Sequence, residues 1–459
     1  MGLDDFRGEG ENARLKPTKS FTKTFGCDKN RRDMAKKIIQ TPRGTRDILP
    51  DQQAYFGYVE RVFESVVRSA GFAKIATPVF EDTNLFIRGV GEGTDIVDKE
   101  MYTFKDKSDN SLTLRPEGTA PIVRAYLENG MQSWPQPVKL YYFEPMYRYD
   151  RPQAGRYREF WQFGFEMIGD KSALADAVVI TTAYRIYDNL GLKGSLSMQI
   201  NSIGCSECRP KYLKELTKYF KENEKELCPD CKKRLNVNPL RLLDCKEKKC
   251  QALAEEAPQI VNSLCSACHD HFKEVLEYLD EIGIVYEINP RLVRGLDYYT
   301  RTVFEIWNQK NGSQNSLGGG GRYDKLVEIL GGQPTPALGF AGGVDRTVEQ
   351  ILEVKDGVPE GETRDVFVAQ IGDEARKKCF RLMNDLWNGG VDAEGCLDKG
   401  TISSQLAAAN KIGAKYTLIM GQKEAYDGTV IIKEMLSGTQ EVVTIDKVIP
   451  EIKRRLKQK

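Results

Sequence analysis

Two runs constrain this chain more than anything else in it: KLYYFEPMYRYDR, from Lys139, and RYREFWQFGFEMIG, from Arg156. Both are dense in aromatic residues, which favour strands, and only PQAG, a cluster of turn formers, separates them. Strand, loop, strand is the economical reading. So short a connection turns the second strand back along the first, because parallel strands need a much longer crossover. Further strand signals lie in SLTLRP from Ser111 and between Tyr299 and Ile306, so an antiparallel sheet is expected. A helix should precede it. Phe56, Val59, Phe63, Val66 and Val67 recur at helical spacing between Gln52 and Ala70, Gly71 stops the run, and AKIATPVF follows as a strand.

With 459 residues, 40% hydrophobic and 29% charged, the chain has room for two or three ordinary domains. No stretch approaches the roughly 20 apolar residues of a membrane helix, so a soluble protein without a membrane partner is expected. The opening residues MGLDDFRGEGENARLK contain no apolar core of a secretion signal, which points to the cytoplasm and to reduced thiols. A net charge of +1 excludes histone-like binding, so any polyanion must be met by local clusters of Lys and Arg. The only histidines, His269 and His271, lie in one segment. Chemistry that relies on imidazole bases spread around a pocket is therefore excluded, and arginines, carboxylates and tyrosines must carry the work.

Residues 1–35 are polar and lack apolar periodicity, and Met34 begins MAKKIIQTPRGTRDILP, which reads like a natural start. A disordered extension is expected there. Residues 36–352 hold the sheet. Within them, residues 196–290 turn Lys- and Glu-rich and hold eight of the eleven cysteines, as a mainly helical insertion would. EVKDGVPEGETRD, residues 353–365, reads as a linker. From 366 to 459, strand DVFVAQI, helices Glu374–Trp387 and Ile402–Lys411, and strands YTLIMG and TVIIKEM alternate as in a small α/β domain. The fold class is α+β.

Three arginine segments stand out. MYRYDRPQAGRYREF places Arg148, Arg151, Arg156 and Arg158 around a turn. They form either a solvated hairpin or a clamp on phosphate oxygens, which the guanidinium fork matches bidentately. Arg294, in RGLDYYTRTVFEIW, pairs with Asp297 at a strand entry or faces an anion, and Arg346 ends GFAGGVDR at a helix start. Converging, such groups could surround a triphosphate and stabilise charge at a phosphoryl centre under attack. SLGGGGRYD lacks the lysine and hydroxyl of a phosphate loop. Its four glycines, each about 0.5–1 kcal/mol less favourable than alanine inside a sheet, mark either a flexible loop or a place where something approaches the backbone closely.

Taken together, TPRGTRD near Thr41, TPVFEDTNLF with Pro78, LTLRPEGTAPIVRA, the strands around Arg148, RGLDYYTRTVFE, GGGGRYD and the segment ending at Arg346 resemble the class II aminoacyl-tRNA synthetases and, closely, the histidyl-tRNA synthetase family. The likeness runs from about residue 36 to the end. It implies a six-stranded antiparallel catalytic sheet flanked by helices, a homodimer built through the segment of Pro78, and a C-terminal anticodon-binding α/β domain. By resemblance, Glu117 and Thr119 hold the α-amino group of L-histidine, with Gln162 beside them. Glu166 and Tyr299 contact the imidazole, and Tyr298 supports the wall. Arg148 grips the ATP α-phosphate, Phe160 stacks on adenine, and Arg346 covers its other face and the γ-phosphate end. Arg294 faces the reacting carboxylate, in a place that other class members give to a metal. ATP, Mg²⁺ and the tRNA for histidine are the implied partners. The non-catalytic regulatory subunit of ATP phosphoribosyltransferase is the alternative, and a synthetase for proline, threonine or glycine is a weaker rival.

Cys205 and Cys208, Cys228 and Cys231, Cys245 and Cys250, and Cys265 and Cys268 form three C-x-x-C spacings and one C-x-x-x-x-C. In a reduced compartment this pattern suits structural Zn²⁺ held by four thiolates at one or two sites, with His269 or His271 as a further candidate ligand. Incidental buried thiols are the bland alternative. The resemblance places the module over the tRNA acceptor arm, away from catalysis. GTISSQLAAANKIGAKY is less basic than its counterparts in the family, and the tail IKRRLKQK either compensates or is a solvated helix face.

Overall fold

The structure, a computed structural model, describes residues 39–91, 93–152, 155–309, 316–354, 364–395 and 400–457. The expected extension, Met34 and most of the expected linker lie outside the described residues. Residues 1–43 form a separate unit whose described part has no helix or strand, and every element below belongs to Gly44–Lys459.

The main sheet contains β1 (Ala73–Lys74), β2 (Val138–Tyr147), β3 (Glu159–Ile168), β4 (Leu196–Ser202), β5 (Glu287–Ile288), β6 (Thr300–Asn308), β7 (Ser316–Arg322) and β8 (Ala337–Gly343). Its order is β1-β2-β3-β8-β7-β6-β4-β5. The six inner strands are antiparallel, as expected, but the sheet has eight strands. The short edges β1 and β5 pair parallel to β2 and β4. The strand expected over AKIATPVF is broken. Pro78 has no N–H to give a ladder, and the Thr77 N–H turns to the Glu144 carboxylate instead. Phe80–Asp82 then joins Ser111–Leu114 and Tyr102–Lys105 in a separate three-stranded sheet.

β2 and β3 pair from Val138 with Ile168 to Tyr147 with Glu159. β2 ends at Tyr147, short of the expected Arg151: the Arg148 N–H still reaches the Arg158 carbonyl, but after it the chain finds other partners. The Tyr149 N–H donates to the Glu100 carbonyl and Arg148 Nε to the Pro116 carbonyl, 2.8 Å away. Alternation divides the pair between two faces. Tyr141, Phe143, Phe163 and Phe165 join the core under helices Pro50–Ser69, Ala173–Asn189 and Val344–Val354. There the Phe63 and Phe163 rings lie 5.0 Å apart and Phe304 stacks on Phe340 at 5.7 Å. Phe160, Gln162 and Glu166, at even positions, line a cavity on the opposite face.

The glycine run is not a loop: it is the central strand β7. A Cβ on Gly320 would lie 2.1 Å from the Gly339 carbonyl, and one on Gly319 would lie 2.5 Å from Arg294 Nη1. Close approach of backbone and guanidinium therefore explains the run.

The insertion is mainly helical, with helices Arg209–Glu222, Pro229–Val237, Lys248–Glu255 and Ser266–Glu281. Its boundaries are narrower than 196–290, because β4 and β5 pair into the main sheet. His271, at the start of the last helix, reaches the Asp176 carboxylate at 3.3 Å. The same carboxylate forms an ion pair with Arg322, a side chain with no exposure.

At the C-terminal end, β9 (Val366–Gln370), β10 (Ala393–Gly395), β11 (Tyr416–Met420), β12 (Thr429–Glu434) and β13 (Gln440–Thr444) form a sheet ordered β10-β9-β11-β12-β13. The expected helix Ile402–Lys411 is found with those bounds, and the expected Glu374–Trp387 lies within Asp373–Asn388. Three-residue β10 is too short to leave a periodic signal. Among the described residues, no helix is long and apolar enough to cross a membrane.

Replacing Asp176 with Ala takes the nearer carboxylate from the buried Arg322 and leaves it Asp324 and the carbonyls of Asp170 and Ser172, so Asp176→Ala should lose about 3 kcal/mol of stability, measured by denaturant unfolding. A loss within about 0.5 kcal/mol would show that the pair contributes little.

Candidate active site

Glu117, Thr119, Arg148, Phe160, Gln162, Glu166, Arg294, Tyr298, Tyr299 and Arg346 all line one cavity of about 1050 Å³. They come from distant parts of the sequence, so their convergence is a product of the fold. The volume lies at the upper end of the range for small-molecule sites, with room for a nucleotide beside an amino acid.

One end is a polar slot. The Glu117 carboxylate accepts the backbone N–H groups of Thr119 and Ala120, each at 2.8 Å, and so satisfies the first two donors of helix Thr119–Glu128. Thr119 Oγ1 donates to Glu166 at 2.9 Å, and the Tyr323 hydroxyl donates to the other Glu166 oxygen. Gly339 leaves the space for this carboxylate, since a Cβ there would lie 1.6 Å from Glu166 Oε2. Tyr298, Tyr299 and Tyr323 pack as a cluster, with centroids 4.8 Å, 5.5 Å and 6.5 Å apart. The Tyr142 hydroxyl donates to Gln162 at 3.1 Å. Burial outweighs these hydrogen bonds and pushes the Glu166 carboxyl up to about 8.

The other end is cationic. Arg148 sits 5.3 Å from the Phe160 ring centroid, and Arg346 donates to the carbonyls of Gly155 and Ser316. Burial depresses the pKa of both, and Arg156 and Arg148 depress Arg346 further. Arg346, weakened by burial and by neighbouring arginines, marks a site that an anion would relieve.

Arg294 pairs with Glu305, so the alternative of a salt bridge with Asp297 does not hold. Asp297 instead accepts from Asn238 Nδ2 at 2.6 Å, turned toward the insertion. Burial opposes the Arg294 charge, yet Glu305 overrides that and holds its pKa above the usual value. Its Nε is buried with no hydrogen-bond partner among the described residues.

The eight cysteines form two quartets, Cys205, Cys208, Cys265 and Cys268, and Cys228, Cys231, Cys245 and Cys250, with sulfurs in each within 4.8 Å of one another. Sγ separations of 3.8 Å for Cys205–Cys208 and Cys205–Cys265, and 3.9 Å for Cys228–Cys245, are too long for disulfides. They match the roughly 3.8 Å spacing of sulfurs around a tetrahedral ion with bonds of about 2.3 Å. Backbone N–H groups of Cys205, Glu207, Cys228 and Cys231 point at sulfurs, as thiolates favour. His269 and His271 belong to neither quartet. In the tail, Arg454 and Arg455 pair with Glu451, and Arg455 also with Glu441, as on a solvated face.

Sequence reasoning missed Tyr142, Glu305 and Tyr323 as site residues. Tyr323 lay in the quoted GGGGRYD, but only the position of β7 beside β8 shows that its hydroxyl reaches Glu166. Arg115 was likewise passed over; it is buried against Glu144 at 2.6 Å and ties Thr77 to the sheet.

The histidyl-tRNA synthetase family matches residues 44–347, and an anticodon binding domain matches residues 365–455. The histidine–tRNA ligase of Dehalococcoides mccartyi strain 195 is 48% identical over 419 residues, covering 91% of this chain and 100% of that protein. That of Pelotomaculum thermopropionicum is 45% identical, covering 91% and 98%. The apo S. aureus histidyl-tRNA synthetase structure matches with a TM-score of 0.76 at 36% identity, over 91% of this chain and 100% of that one.

Glu166→Gln should flatten the pH dependence of stability. With a folded pKa of about 8 against the ordinary 4.5, Glu166 contributes stability that is complete below pH 4.5 and is lost as pH rises toward 8. Denaturant unfolding of both proteins from pH 5 to 8 checks this, and parallel curves would contradict it.

Proposed function

We propose the division of labour below for a chain that belongs to the histidyl-tRNA synthetase family and joins histidine to its tRNA with ATP. The observation that carries the residue assignments is the convergence of Arg148, Arg294 and Arg346 on the cavity that also contains Glu166 and Tyr299. Neither the regulatory subunit nor another class II synthetase is better supported: the curated relatives are ligases for histidine.

A neutral imidazole has one donor and one acceptor nitrogen. Glu166, which retains acceptor capacity beyond Thr119 and Tyr323, takes the imidazole N–H, and the Tyr299 hydroxyl donates to the other nitrogen. Side chains unable to do both leave a buried polar group unpaired, which sets specificity. Glu117, Thr119 and Gln162 receive the α-amino group, and Tyr298 packs behind Tyr299. Phe160 stacks on adenine and Arg346 lies over its other face, toward the γ-phosphate.

The histidine carboxylate is already ionised, so its attack on the α-phosphorus needs no protein base. As the new P–O bond forms, the bond from α-phosphorus to the bridging oxygen breaks and diphosphate leaves. Arg148 and Arg294 lie where the two anions meet, and their charges offset the repulsion. The terminal ribose hydroxyl of the tRNA then takes the histidyl group, and AMP leaves.

The family implies Mg²⁺ as well, which prefers oxygen ligands. Glu100 and Asp150, carboxylates lining the Arg148 end, offer such oxygens and would help to hold it, Asp150 sharing its charge with Arg156. Bound there, it would supply positive charge to offset that of the phosphates. The tetrathiolate geometry supports Zn²⁺ in both quartets. A homodimer is supported by the three-stranded sheet that carries Pro78's neighbours: Phe80 and Phe104, in edge-on contact at 6.3 Å, are 51% and 43% exposed. Reduced quartets of this kind suit the cytoplasm.

ATP–diphosphate exchange should be supported by histidine alone in a panel of amino acids. Exchange with a different amino acid would move the substrate. Arg294→Met should lower kcat by about 10²–10³ with little change in the KM for ATP. A change confined to KM would reduce Arg294 to a binding contact.

A further inference from the structure

Residues adjoining both quartets touch the loop Arg294–Tyr299. Helix Pro229–Val237 begins at Cys228, whose sulfur accepts the Cys231 N–H. One turn past Cys231, Arg234 pairs with Asp95 at 2.8 Å. Asn238, where that helix ends, donates to Asp297 in the loop. Arg241 follows, and a Cβ on Gly295 would lie 2.8 Å from its Nη1. Gly93, at φ +84°, similarly leaves no space for a side chain, because Val237 Cγ1 would lie 2.8 Å away. The segment then returns to the same quartet at Cys245, which itself lines the cavity.

The first quartet reaches the loop from its other end. Arg209, directly after Cys208, donates to the Tyr299 carbonyl at 2.5 Å and to the carbonyls of Ile203 and Gly204. Thus Asp297 and Tyr299 are each held by a side chain next to or between ligand cysteines. Short irregular segments such as 238–247, lacking a long helix or a strand, have little to fix their conformation apart from a bound ion.

We infer that metal in the two cysteine quartets positions the histidine-reading loop Arg294–Tyr299 through Asn238 and Arg209, so that histidine recognition depends on the metal. The inference rests on the reading of the quartets as metal sites. Asn238 and Arg209 are positioning residues: they touch the loop and not the substrate.

The test uses the full-length enzyme, with zinc measured by elemental analysis and ATP–diphosphate exchange followed against histidine and against ATP. Two zinc ions per chain are expected. Stripping them with a chelator should raise the KM for histidine roughly tenfold, leave that for ATP nearly unchanged, and be reversed by added Zn²⁺. Asn238→Ala, which removes no ligand, should keep both ions and raise the KM for histidine in the same direction. In stripped enzyme the same substitution should add little, because the contact is already lost. Less than one zinc per chain in metal-replete preparations would remove the metal reading itself. Two ions with a histidine KM unmoved by stripping or by Asn238→Ala, or equal shifts for histidine and ATP, would leave that reading intact and overturn this one.

Discussion

Alternation of side chains along β3 and its neighbours is the constraint on which the site depends. Successive residues of a strand face opposite sides, so Phe163 and Phe165 pack under the helices while Gln162 and Glu166 face the cavity. A slip of one residue against β2 would exchange the two sets, burying Glu166 among phenylalanines. The aromatic core therefore holds the register, and the register aims the polar groups. Strand β6 does the same, with Phe304 and Ile306 in the core and Glu305 and Trp307 at the cavity.

Once register is set, charge is arranged at the expense of the unliganded protein. Arg148 and Arg346 are half-buried with no salt bridge among the described residues, and Glu166 is a buried acid pushed toward its neutral form. Each of these unfavourable features has a complement in a substrate: phosphates for the arginines, an imidazole N–H for the glutamate. Arg294 differs, since Glu305 already holds it. Its orientation is settled before any ligand enters, as preorganised stabilisation requires.

The insertion joins this arrangement through contacts that motif spacing does not show. Four C-x-n-C pairs are visible in sequence, but which pairs combine is a matter of three-dimensional proximity. The first pair joins the last, and the middle two join each other. The same is true of Asp297, whose sequence neighbour Arg294 is the obvious partner and whose actual partner, Asn238, lies in the insertion.

Much was legible in the chain itself. Aromatic-rich runs, turn formers and helical spacing depend on local geometry, so the antiparallel strands around Arg148, the helix from Gln52 and the helix Ile402–Lys411 could be placed by pattern, and the resemblance supplied the cavity residues. What only the tertiary structure decided was non-local. The parallel edge strands, the burial of the glycine run beside Arg294, the Tyr323 hydroxyl on Glu166 and the pairing of the cysteines each join residues far apart along the chain. No local pattern encodes them, because a hydrogen bond or an ion pair depends on where the fold brings its two partners, and not on the spacing between them in sequence.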